Sequence, residues 1–326
     1  MNVVVLGGYR FAGRALIDEL LARGHTVAAF NRGNDPLPPG VEHIAGDRDD
    51  PSPLAGRTWD VAIDTSGYIP RHLTASAGLL APNVNRYAFV STLSVYGFPV
   101  DAGADETHPL VELTPGADPD DNRNNETYGM RKALCEAAAE AAMPGRVLAI
   151  RAGFIVGPYD YTDRFNVWIE RAAHQVAMVV PGPPGGPLQL IDVRDLAAWI
   201  VDASEAGLTG PYNVTGPERT AMDVARACVA GTGSSCDVVS VPTDVALAAG
   251  IVPWEHLPFW LEPEHDGLMR MDIRKALAAG LRTRPLAETV AATYAWLRTS
   301  SHERKVRVPP ETERAALETA RTRMAT

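Results

Sequence analysis

Val3-Val4-Val5-Leu6-Gly7-Gly8-Tyr9-Arg10-Phe11-Ala12-Gly13 stands at the start of the chain and carries its strongest fold signal. The apolar run Val3 to Leu6 reads as a strand. It passes directly into glycines and then into a helical pattern, Ala12 to Arg23, with Leu16, Ile17, Leu20 and Leu21 on one face and Gly24 as a stop. Strand, glycine loop and helix in that order are the context a dinucleotide fingerprint requires. Glycines let the backbone approach a pyrophosphate, while the helix N-terminus offers unpaired N–H groups and the positive end of its dipole.

Further strands are expected at Thr26 to Phe30, Val41 to Ala45, Val61 to Asp64, Tyr87 to Ser91 and Val147 to Ile150. Helices fit Arg71 to Leu80 and Tyr128 to Ala142, the latter with Leu134 and Cys135 inward. This alternation predicts an α/β protein, a doubly wound Rossmann-type parallel sheet. The dinucleotide-binding domain is expected over residues 1–155, with a strand and helix at 188–202 returning to its sheet. The Pro/Gly-rich stretch Pro181 to Pro187 and the mixed segments after Gly207 predict a smaller C-terminal substrate-binding domain, residues 156–187 and 203–326. Asp118 to Glu126 reads as an acidic loop, and the tail from His302 permits a helix through Ala315, Ala316, Leu317 and Ala320.

The 326 residues, 46% of them hydrophobic, suffice for a substantial core. No apolar run approaches the roughly eighteen residues of a membrane span, and Met1 to Leu6 runs into a strand instead of a signal-peptide pattern, while the few, scattered cysteines point to a reducing cytoplasm. Cys135, Cys228 and Cys236 are too scattered for a disulfide framework or a zinc site, and no metal is expected. The net charge of −10 makes nucleic acid a poor partner. A small-molecule substrate is expected, and a homodimer is compatible with the sequence.

An acidic residue closing the second strand would accept hydrogen bonds from the adenosine ribose of NAD. Here Asn31-Arg32-Gly33 follows. A guanidinium can bind a 2′-phosphate through two parallel hydrogen bonds, which a carboxylate would repel, so NADP is favoured over NAD. Arg10, inside the glycine loop, adds to that preference, and Asp47 after the third strand suits either the adenine amino group or a cap.

Tyr128-Gly-Met-Arg-Lys132 places a phenol and an ammonium on one helical face. A nearby cation favours phenolate and makes the tyrosine a better acid and base near neutrality. Val90-Ser91-Thr92-Leu93-Ser94-Val95-Tyr96-Gly97 ends a central strand, where open α/β sheets place ligands. With the glycine loop, Arg151 to Pro158, Ile191 to Ala197 and Tyr212 to Gly216, in this order, the chain resembles the extended short-chain dehydrogenase/reductase family, the NAD(P)-dependent epimerase/dehydratase superfamily, along nearly its whole length. The resemblance implies Tyr128 as general acid/base, Lys132 as the group that holds the nicotinamide ribose and tunes the phenol, and Thr92 as the hydroxyl that polarises the substrate oxygen. It also implies cofactor contacts at Gly7, Gly8, Arg10, Phe11, Gly13, Asn31, Arg32, Asp47, Thr65, Ser66, Gly67, Gly153, Phe154 and Ile155.

Departures from the family narrow the chemistry. Leu93 and Ser94 stand where dehydratases of the family carry acidic residues, which argues against dehydration. Phe154 and Leu188 replace the polar groups that epimerases of the family aim at a substrate diphosphate, which argues against nucleotide sugars. Phe165, Trp168, Trp254, Phe259 and Trp260 suit an apolar substrate or a core, and Arg164, Asn166 and His174 are candidates for orienting its polar groups. The expectation is an NADP-dependent reductase or dehydrogenase of a small carbonyl or alcohol. An epimerase or isomerase with retained cofactor is the alternative. A non-catalytic reading also stands, because the Gly-Gly-x-Arg-Phe loop is similar to that of chloroplast stem-loop RNA-binding relatives.

Overall fold

The computed structural model describes residues 1–33, 36–261, 263–303 and 308–324, which divide into two compact units. The first comprises residues 1–155, 193–215 and 271–282, and the second comprises 156–192, 216–270 and 283–324 of the described chain.

In the first unit the chain forms β1 (Asn2–Leu6), α1 (Phe11–Ala22), β2 (Thr26–Asn31), β3 (Val41–Ala45), β4 (Trp59–Asp64), α2 (Pro70–Leu80), β5 (Val84–Thr92), α3 (Tyr128–Ala142) and β6 (Val147–Ala152). After β7 (Phe154–Val156) it lays down α4 (Asn166–His174), β8 (Ala177–Pro181), β9 (Pro187–Leu188) and β10 (Leu190–Asp192). It then returns to the first unit for α5 (Val193–Glu205) and β11 (Gly210–Val214). The second unit continues with β12 (Arg219–Thr220), α6 (Ala221–Thr232), β13 (Asp237–Val241) and α7 (Thr243–Ala248). Finally α8 (Arg274–Ala278) belongs to the first unit, and α9 (Leu286–Thr299) and α10 (Pro310–Met324) to the second.

The main sheet is seven-stranded, in the order β11-β6-β5-β4-β1-β2-β3, and its determined pairings are parallel. β1 is an interior strand, with Val5 opposite Ala29 of β2 and Ile63 of β4. Val3, Val4, Val5 and Leu6 are wholly buried, as a strand covered on both faces by helices requires. The strand order reverses between β1 and β4, and the carboxyl ends at such a point form the ligand-binding crevice of open α/β sheets.

The expected strands and helices of residues 1–155 are all present, although Leu134 is only half-buried while Cys135 is fully inside. The expected division of the remainder needs correction. Residues 188–192 belong to the second unit, and residues 203–215 and 271–282 belong to the first. The helix that returns to the main unit is α5, which packs on α1 and receives Arg23 at Asp202 and Glu205. The strand that joins the sheet is β11, paired with β6. Gly210, Pro211 and Asn213 are poor strand formers, so local propensity hides β11; an edge position tolerates them.

Beneath the crevice Asp64 is fully buried and accepts hydrogen bonds from Arg48 (2.6 Å) and the Tyr87 hydroxyl (2.7 Å) on one oxygen, and from the Ser66 N–H (2.9 Å) on the other. Burial pushes the Tyr87 phenol well above its ordinary range, so it stays a donor to the carboxylate. The network fixes the turn after β4, which carries Thr65, Ser66 and Gly67.

The second unit has its own core, in which Val179, Val239, Val241 and Val245 meet Val308, Ala316, Leu317 and Ala320. β8 and β13 form a parallel pair there. A buried ion pair between Arg171 and Glu313, whose carboxylate also accepts the Val179 N–H (2.7 Å), fastens α10 to β8. The terminal helix expected from the tail is therefore present, while residues 304–307 and 325–326 of that tail lie outside the described residues.

Candidate active site

The glycine loop joins β1 to α1 with Gly7 at φ +107° and Gly8 at φ +92°, a region that disfavours side chains. Space is equally restrictive. A Cβ on Gly7 would lie 2.5 Å from the Thr65 hydroxyl, and one on Gly13 would lie 2.7 Å from the Gly8 nitrogen. The residue before α1, Arg10, makes no side-chain cap, so the first turn keeps N–H groups that a side chain has not claimed. Arg10 itself is exposed, with its guanidinium 5.6 Å from the Tyr9 ring centroid. Phe11 is buried in the core, which leaves only its backbone for a ligand.

Asn31, at the end of β2, is buried and committed. Its amide donates to the Gly7 carbonyl (2.9 Å), and its oxygen accepts the Gly33 N–H (2.8 Å) with His43 Nε2 3.1 Å away. The next residue, Arg32, has a side chain 65% exposed whose Nε is 4.0 Å from Asp47. That exposed pair is weak and leaves the guanidinium accessible. Asp47 uses its other oxygen to cap the Asp49 N–H (3.0 Å), a turn-forming role.

The Thr65 to Gly67 turn is fastened to the glycine loop, for Thr65 N–H (3.0 Å), Thr65 hydroxyl (3.1 Å) and Ser66 hydroxyl (3.2 Å) all donate to the Leu6 carbonyl. On its other side the Gly67 carbonyl accepts from Lys132 Nζ (2.8 Å), which also donates to the Val90 carbonyl (2.8 Å). The ammonium lies 3.9 Å from the Phe89 ring centroid. Burial pulls its pKa down from 10.5 to about 8, against the opposing pull of Cys135, Asp64 and Glu136.

Tyr128 begins α3 and is half-buried. The following Gly129 is pressed against the Ser94 carbonyl so closely that a Cβ would overlap it. This contact sets the start of α3 against the Leu93–Tyr96 turn, where the Thr92 hydroxyl accepts the Ser94 N–H (3.2 Å) and donates to the Ser94 hydroxyl (3.2 Å). Gly153, after β6, faces Thr215 and Leu93, and Phe154 and Ile155 are half-buried. The structure thus gathers Gly7, Gly8, Gly13, Thr65, Ser66, Gly67 and Lys132 in one connected cradle, and Thr92 beside the start of the helix bearing Tyr128.

Sequence reasoning missed the support below. Ser91 donates to Glu136 (2.5 Å), Glu136 pairs with Arg151 (2.8 Å), and Arg151 reaches the Tyr96 hydroxyl (2.9 Å), which donates to Asn213 (2.6 Å). The acidic loop is tied by Asp120 to Arg71 of α2 (3.2 Å), and upstream Val111 N–H donates to the Val95 carbonyl (2.8 Å). In the second unit the Asn166 amide nitrogen donates to the Asp160 carbonyl and the Asp163 carboxylate, Arg164 donates to Thr162, and His174 lies 3.3 Å from Glu170. Phe165, Trp168 and Phe259 are core there, and Trp254 is 40% exposed. Among the described residues no group of three or more His, Cys, Asp or Glu is placed to hold a metal ion, and no helix is long and apolar enough to cross a membrane.

No protein-family model matches the chain. Among curated proteins it is 24% identical over 255 residues to the chloroplast stem-loop binding protein of 41 kDa b of Arabidopsis thaliana, a match over 71% of this chain and 63% of that protein. The chain therefore spans less than two thirds of that relative's length. Among solved structures, the UDP-glucose 4-epimerase of Thermus thermophilus, in complex with NAD, matches with TM-score 0.65 and 19% identity over 92% of this chain and 100% of its own. The dTDP-glucose 4,6-dehydratase of Bacillus anthracis with NAD gives 0.65 and 15% over 92% and 97%. The Bordetella bronchiseptica enzyme WbmH with NAD+ gives 0.66 and 18% over 91% and 98%. The chain shares its fold with these solved structures.

The buried ammonium makes stability depend on alkaline pH. Lys132 titrates near 8 when folded and near 10.4 when unfolded, so between those values the unfolded chain binds more protons and folding strengthens as pH rises. Denaturant melts of the wild type and Lys132→Met, compared at pH 7.5 and 10.5, are predicted to show the wild type gaining roughly 3 kcal/mol relative to the variant. A constant difference would mean that Lys132 is not a buried ammonium.

Proposed function

We propose that the first unit binds a nicotinamide dinucleotide, with NADP(H) favoured over NAD(H), and transfers a hydride between it and a small carbonyl or alcohol. The observation that carries this reading is the side-chain-free cradle at Gly7, Gly8 and Gly13, joined through the Thr65–Gly67 turn to Lys132. A pyrophosphate needs backbone N–H groups and close approach, and this loop offers both. Arg10 and Arg32 would take the 2′-phosphate, and Asp47 would lie toward the adenine. Gly153, Phe154 and Ile155 would border the carboxamide.

A nicotinamide bound there would supply the hydride acceptor or donor. Tyr128 moves the proton to or from the substrate oxygen, and the Thr92 hydroxyl polarises that oxygen. Lys132, with two N–H groups fixed on carbonyls, has a third for the ribose and favours the phenolate of Tyr128. Its lowered pKa leaves it largely charged at neutrality. Leu93 and Ser94 offer no strong acid or base beside Thr92, so this site is not suited to dehydration.

An epimerase that oxidises and re-reduces its substrate with retained cofactor is the second reading, supported by the epimerase neighbours. Under either reading a nucleotide sugar is disfavoured, because Leu188 is buried and Phe154 is apolar. A cytoplasmic enzyme without nucleic-acid or membrane partners, able to form a homodimer, fits the same reading. The likeness to a stem-loop binding protein supports the remaining, non-catalytic alternative.

Fluorescence titration is predicted to show Arg32→Ala weakening NADPH binding by about 1.5 to 3 kcal/mol, the range for hydrogen bonds to charged groups, and leaving NADH nearly unchanged. Equal losses for both would contradict the NADP preference. Tyr128→Phe is predicted to lower turnover about 10²- to 10⁴-fold while leaving dinucleotide affinity almost intact. A substrate found by following nicotinamide absorbance against small carbonyl compounds serves for this test, and full activity in the variant would remove the reading of Tyr128.

A further inference from the structure

Arg131 stands between Tyr128 and Lys132 in sequence and is 2% exposed, among the largest fully buried side chains of the protein. Its Nη1 donates to the Asn124 carbonyl (2.7 Å) and to the Thr127 hydroxyl (2.5 Å). That hydroxyl in turn donates to the Asn124 carbonyl (3.3 Å), which closes a triangle. The acceptors belong to the segment that runs into α3, and Thr127 spends none of its side chain on capping the helix. Side chains 122–126 are exposed, so this segment has little packing of its own.

The guanidinium donates to neutral oxygens, and its buried Nε meets no acceptor among the described residues. Desolvating a cation without a carboxylate is costly, and the two hydrogens of the single nitrogen Nη1 serve the two acceptors. On the opposite side Gly129 rests on the Ser94 carbonyl. The first turn of α3 is therefore gripped from two directions, and Tyr128 lies between the grips.

We propose that Arg131 is the positioning residue of Tyr128: it fixes the Asn124–Thr127 turn and so the point at which the phenol enters the site. This rests on the reading of Tyr128 as the acid/base, yet it acts on backbone that can be observed without substrate or cofactor. The amide of Tyr128 donates to the Asn125 carbonyl (3.2 Å), and its protection reports whether the turn is closed.

The test is hydrogen exchange on the full chain, resolved to peptides, for wild type, Arg131→Met, Arg131→Lys and Thr127→Val. In Arg131→Met, exchange in residues 124–128 is expected to quicken about tenfold or more, which corresponds to about 1.4 kcal/mol, while β1 and β5 stay unchanged. Arg131→Lys should recover part of the protection, since an ammonium can reach one of the two acceptors. Thr127→Val should show a smaller acceleration of the same segment. Unchanged exchange at 124–128, or an increase spread evenly through β1 and β5, would overturn the proposal. Should Arg131→Met not fold, the Lys and Val variants decide by the same criterion. Failure of the acid/base reading would instead appear as full turnover in Tyr128→Phe, independent of exchange.

Discussion

The ammonium of Lys132 is held inside the protein by the Gly67 and Val90 carbonyls, and the parts of the candidate site meet around it. One carbonyl comes from the turn after β4, the other from β5, and the lysine itself from α3. A charge so fully desolvated is tolerated only when its donors are met. Moving any of the three elements would leave an N–H group unmatched, so the cation enforces their relative placement. The turn in question is also fastened to the Leu6 carbonyl and, through Asp64, to Arg48 and Tyr87. The same residue that would serve a bound ribose thus holds the floor of the site together.

Glycines supply the second constraint. Gly7 and Gly13 lie where a Cβ would strike the neighbouring backbone or the Thr65 hydroxyl, and Gly129 and Gly153 lie where it would strike Ser94 and Thr215. These four contacts bring β1, α1, the turn after β4, α3 and β11 closer than side chains would allow. The resulting crevice lies at the carboxyl ends of the strands beside the reversal of strand order, with Tyr128, Thr92 and Lys132 on one flank and Asn31 and Arg32 on the other.

Signals confined to a short window were legible in the sequence. The β-branched run and glycine loop and the 3.6-residue pattern of α1 each predict what the structure contains, and Tyr128 and Lys132 both lie on the expected helix α3. Partners far apart in the chain were not legible. Asp64 meets Tyr87 and Arg48, Glu136 meets Arg151, and Asn213 meets Tyr96 only after the sheet has formed. β11 was hidden because Gly210, Pro211 and Asn213 carry no strand signal, and its place depends on pairing with β6. Asn31 was read as a cofactor contact from its place after β2, and its bonds to the Gly7 carbonyl and from the Gly33 N–H were not legible in the sequence. Arg131 did leave a local trace, since Thr127 stands one helical turn before it, but only its burial separates that pair from an ordinary surface contact.

Calorimetric titration of the wild type and Gly13→Val with NADPH and NADH tests whether the glycine cradle receives a dinucleotide. Saturable binding of at least one dinucleotide to the wild type is expected. In Gly13→Val, where the side chain would meet the Gly8 backbone, that binding should be lost while circular dichroism remains that of a folded α/β protein. No saturable binding to the wild type, or undiminished binding to the variant, would contradict a dinucleotide site at the glycine cradle.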